Sequence, residues 1–86
     1  MSTRKLITRK GKIARLPYAI RMEVNLRIRD GHSNEELAKW LNDQPAVKTR
    51  LAEIFWSAAI TSRNVSEWRH GGFAEWLARI EQPTHG

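Results

Sequence analysis

The stretch from Thr61 to His70, TSRNVSEWRH, gathers side chains able to exchange hydrogen bonds with a flat polar edge. At 100° per residue on a helix, Val65 and Trp68 fall on one side, and Arg63, Ser66, Glu67 and His70 on the other. The types on the polar side match what base edges offer: Arg bonds guanine O6 and N7 together, Glu accepts from cytosine N4, and Ser adapts to either. Asn64, at the border of this face, suits adenine, while Thr61 and Ser62 at the helix start suit a phosphate. The plainer alternative is that Arg63 and Glu67, four residues apart, pair with each other on a solvated face.

A second constellation is electrostatic. Of 86 residues carrying a formal net charge of +6, residues 1–29 hold nine Lys and Arg against the single acid Glu23, whereas residues 30–86 hold six against eight acids. The excess cations sit in an arm whose Arg4, Lys5, Arg9, Lys10, Lys12 and Arg15 are suited to neutralise phosphates and release their counterions. Arg in such an arm is also favoured in a minor groove, and Arg21, Arg27 and Arg29 would extend the strip. The alternative is a solvated tail that aids solubility.

Other chemistry finds little footing. There is no Cys, hence no disulfide, thiolate zinc site or cysteine nucleophile. His32, His70 and His85 lack i, i+4 pairing and acidic companions, so no metal, cofactor, substrate or catalytic centre is expected. His32 reads as a local cap and His85 as part of a loose tail. Gly71-Gly72 follows a helix rather than opening one, unlike a phosphate loop. No apolar run approaches the ~20 residues of a membrane span, and no h-region follows the charged start. A soluble cytoplasmic protein, not an enzyme, is the expectation.

The elements that must hold these residues read as an all-α fold, a small orthogonal bundle of about five short helices behind a flexible basic arm. Residues 1–15 form the arm, 16–82 the helical domain and 83–86 a loose tail. Residues 17–30 alternate as a strand would, through Ile20, Met22, Val24, Leu26 and Ile28. Leu16, Ile20, Val24 and Ile28 also make an i, i+4 stripe, and the helix-favouring composition makes helix the expectation, ending at Gly31. Ser33 and Glu36 form a capping box ahead of helix 34–42. Pro45 opens a third helix whose stripe is Val47, Leu51, Ile54, Phe55 and Ala58. Thr61 or Ser62 caps the fourth, and Phe73, Trp76, Leu77 and Ile80 mark a fifth closed by Pro83. Trp40, Trp68 and Trp76 lie on apolar stripes and belong to the core, whereas Trp56 lies off its stripe and is free to meet a partner.

Leu51 to Gly71, LAEIFWSAAITSRNVSEWRHG, resembles the helix-turn-helix superfamily of DNA-binding regulators. Ile54 fills the apolar place in the first helix, Ala58 the place before a turn of about four residues and Ile60 the place after it. Val65 and Trp68 fill the inward places of the second helix. Phe55 stands where the family prefers Ala, and Ala59 where it has a turn Gly. The resemblance implies a transcriptional regulator binding double-stranded DNA, nucleoid-associated, with residues 61–70 in the major groove. Two half-sites multiply specificity, which makes a homodimer a candidate assembly. Two other readings share the sequence: an architectural or phage-packaging binder like a terminase small subunit, with little sequence choice, and a helical adaptor for a partner protein.

Overall fold

The computed structural model describes residues 11–81. These form a 3-10 turn, Ile13–Arg15, and five helices: α1 (Tyr18–Arg29), α2 (Asn34–Asn42), α3 (Pro45–Ile54), α4 (Ser62–His70) and α5 (Gly72–Glu81). Among the described residues there is no strand, so the fold is a small all-α bundle. Residues 17–30 settle as helix. Val24 and Ile28 are buried and Ile20 is half-buried, so the i, i+4 stripe and not the alternation faces the core.

Local chemistry sets most boundaries. Gly31 adopts φ +99°, a conformation that disfavours any side chain, and its N–H donates to the Ile28 carbonyl while that of His32 donates to Arg27. This pair of bonds is the Schellman closure of α1, and His32 Nδ1 lies 2.9 Å from the same Arg27 carbonyl. The α2 box forms in full, with the Glu36 N–H on Ser33 Oγ and the Ser33 N–H on Glu36 Oε1. Pro45 takes the first position of α3, where its missing donor costs nothing.

Helix α4 is the hub. It packs against α2, against α5 and against the 3-10 turn. Val65 and Trp68 turn inward to join Leu37, Leu41, Ile60 and Phe73 in the core. Between α4 and α5 the backbone turns within Gly71 and Gly72. A Cβ at Gly72 would overlap the six-membered ring of Trp68, so only glycine lets that ring lie flat against the start of α5.

Two expectations are corrected. The third helix stops at Ile54 rather than continuing to Ala58, and the connection to α4 is seven residues, Phe55 to Thr61, instead of about four. The Leu51 carbonyl accepts from both Phe55 and Ser57, while Trp56 and Ser57 take positive φ (56° and 64°), which winds the chain out of the helix. Ala58 is consequently exposed, while Ile60 still reaches the core. The boundary of the flexible arm also moves. Ile13 (1% exposed) and Leu16 (3%) are core residues, and their burial holds the 3-10 turn between them, so the ordered body begins before residue 16. Arg4, Lys5, Arg9 and Lys10 lie outside the described residues, as do residues 82–86.

Candidate nucleic-acid interface

The connection before α4 is fixed by a side chain that imitates a backbone. Asn42, the last residue of α2, donates through Nδ2 to the Ile60 carbonyl (2.9 Å) and accepts from the Ile60 N–H at Oδ1 (2.8 Å). This two-way clasp seats Ile60 in the core and sets where α4 begins. Thr61 then caps the helix: its Oγ1 accepts from the Asn64 N–H (3.2 Å), and its own N–H donates to Asn64 Oδ1 (2.9 Å). The cap residue is thus Thr61 and not Ser62, and one oxygen each of Thr61 and Asn64 is spent on it.

Beyond the cap, Ser62 is exposed at the helix start, and opposite Val65 and Trp68 on α4 Arg63, Glu67 and His70 are exposed and Ser66 is half-buried. Arg63 Nε and Glu67 Oε2 stand 3.6 Å apart, an exposed pair of the sort that contributes little to stability. His70 Nδ1 sits 2.9 Å from the Ser66 carbonyl. The residue before it, Arg69, belongs to the scaffold: its guanidinium donates to Asn34 Oδ1 and to the His32 carbonyl, tying α4 to the start of α2.

The start of the described chain runs alongside this helix. Lys12 Nζ donates to the Ala59 carbonyl (3.0 Å), two residues before the cap. Gly11, Ile13 and Ala14 border a shallow recess shared with Asn64, Glu67 and Trp68. Residues 11–15 therefore flank the first turns of α4. Arg15 is held by its backbone, whose carbonyl accepts from Arg50 Nε (2.9 Å), and it lines a different cleft.

The expected strip along α1 does not assemble. Arg27 lies over the Trp40 ring (4.2 Å) and is paired with Glu23 (2.9 Å), Arg29 lies over Trp76 (5.7 Å), and Arg21 over Tyr18 (5.6 Å). These guanidiniums cover aromatic rings. Trp56, by contrast, is 95% exposed at the tip of the α3–α4 connection.

One polar residue was not anticipated. Asn25 is fully buried, its Oδ1 accepting from Trp68 Nε1 (2.8 Å) across 43 residues of sequence. The available signal was its spacing: Tyr18, Arg21 and Asn25 recur at i, i+3 and i+7, a polar stripe beside the apolar one. In the α2 cap the Ser33 backbone N–H, aided by the Ser33 hydroxyl and the nearby His32, lowers the Glu36 carboxyl below its ordinary value.

Among the described residues no group of three acids or histidines could hold a metal ion, and no helix is long and apolar enough to cross a membrane. Comparison of the chain with protein-family models, with curated proteins and with solved structures returns no match.

Proposed function

We propose that this chain binds double-stranded DNA as a small regulator of the helix-turn-helix type, a cytoplasmic, nucleoid-associated binding protein and not an enzyme. Helix α4 enters the major groove with Arg63, Ser66, Glu67 and His70 toward the bases, and the basic segment ahead of Gly11 lies on phosphates or in the adjoining minor groove. The observation that carries this reading is the place where that segment meets the body. The Lys12 bond to the Ala59 carbonyl holds the start of the described chain against the connection that leads into α4, and this supports a reading in which a backbone clamp and a reading helix act together. A homodimer supplies the second half-site in this reading.

The Arg63–Glu67 pair favours a second reading, since a guanidinium answered by its own carboxylate is less free to choose guanine. In that case the chain is an architectural or packaging-type DNA binder with little sequence preference. The test is selection from a randomised duplex pool at several salt concentrations. An enriched motif supports the regulator and a palindromic one the dimer, while salt-sensitive retention without a motif supports the architectural reading. No retention at all overturns DNA binding and leaves an adaptor role.

A further inference from the structure

Away from the outward face of α4, residues of α1 and α5 line a cleft of about 790 Å³ together with Trp68 of α4 and Arg15 of the 3-10 turn. From α1 it takes Tyr18, Arg21 and Asn25, and from α5 Trp76 and Arg79. Such a volume falls in the range of small-molecule sites.

Its polar lining has an imbalance of one kind. Because Trp68 Nε1 can only donate, the Asn25 oxygen must face it, which aims the Asn25 amino group away from Trp68. That buried Nδ2 has no partner among the described residues, and neither has the buried Nε of Arg21. Both are donors. Arg15 and Arg79 also line the cleft, and neither is paired with an acid among the described residues. Glu75 is the one acid of the lining and is already engaged. Buried donors without acceptors are rare and call for an explanation, and a lining with three guanidiniums, Arg15, Arg21 and Arg79, asks for an anion rich in acceptor oxygens. The exposed Tyr18 ring and half-buried Trp76, each with a guanidinium over one face, form the aromatic part of the lining and suit a flat apolar group joined to that anion. The chain's own residues 1–10 hold four Lys and Arg and no acid, so their charge opposes that role.

We propose that this cleft is a binding site for a phosphate carried on an aromatic ring system, a nucleotide-like ligand whose phosphate oxygens accept from the guanidiniums of Arg15, Arg21 and Arg79 beside the buried Asn25 amide. It stands whether or not α4 reads DNA. The phosphate has two sources, a free nucleotide or the end of a nucleic-acid strand.

The test is a titration of the full ¹⁵N-labelled chain with adenosine 5′-monophosphate, following the side-chain amide resonances of Asn25 and the indole N–H of Trp68. Adenosine, inorganic phosphate and a 5′-phosphorylated duplex serve as separate arms. The monophosphate is expected to shift both signals saturably and to bind about tenfold or more tighter than either fragment. Arg79→Gln, an exposed change that leaves the core intact, and Arg21→Gln each weaken it by about tenfold. A duplex that moves the Asn25 signal and competes with the monophosphate identifies a strand end as the source. A duplex that leaves the signal in place identifies the free nucleotide. Asn25 resonances that stay fixed up to about 10 mM of every probe overturn the proposal, as do shifts of equal affinity in wild type and both variants.

Discussion

At the scale of single residues, a few side chains hold the frame while others are left for partners. Asn42 belongs to the first group. Its two bonds to Ile60 replace a stretch of paired backbone, so Asn42→Ala strands an N–H and a carbonyl at the edge of the core. A loss of about 2 kcal/mol is expected, measured by urea unfolding at constant m value. Gly72→Ala sets a methyl against the Trp68 ring, and a loss of about 1–3 kcal/mol is expected from forced overpacking. In the α2 cap, the lowered Glu36 carboxyl works in one pH direction. Its contribution is fully present above the unfolded carboxyl pKa, near 4.3, and fades as pH falls through the folded value. Glu36→Gln keeps an accepting oxygen and should flatten that acid limb in stability-against-pH curves, whereas Ser33→Ala costs about 1 kcal/mol at neutral pH. Ser33, Glu36, Gly31 and Pro45 were all legible in the sequence because each acts on residues within five positions of itself. Asn42 and Asn25 were not, because their partners lie far along the chain.

At the scale of elements, stripe and caps settled α1, α2 and α5, and the end of α3 escaped. Nothing about Phe55-Trp56-Ser57 announces a chain reversal: no glycine or proline stands there, and the apolar spacing runs on through Ala58. The reversal is made by two consecutive non-glycine residues at positive φ, which tertiary packing of Ile60 compensates. Ser57→Gly should relieve part of that cost and raise stability by roughly 1 kcal/mol. If thermal unfolding of that variant is unchanged or lower, the winding is not strained. The α4 face, by contrast, was legible nearly whole, since a nine-residue helix with two inward anchors leaves its polar side determined.

At the scale of the whole molecule, the division of charge read from the sequence becomes a matter of place. The cations of α1 are folded onto Tyr18, Trp40 and Trp76, so the proposed DNA contact is assigned to the segment before Gly11 and to α4. Removing residues 1–10 should lower the slope of log K against log salt by roughly 0.9 for each phosphate that the segment neutralises, with the melting temperature nearly unchanged. An unaltered slope would show that the segment does not touch DNA. Arg63→Ala is expected instead to change which sequences are retained, leaving the salt slope within about one unit.

The unequal surroundings of the four tryptophans have an optical consequence. Trp56 stands in water, Trp68 is enclosed with its indole N–H bonded to Asn25, and Trp40 and Trp76 lie beneath guanidiniums. Excited together, they should emit as at least two populations: a red-shifted one open to acrylamide quenching and a bluer one shielded from it. Trp56→Phe removes only the first, leaving a chain whose remaining light reports the packed body alone, so that unfolding and events at the α3–α4 tip can be watched separately in one cuvette.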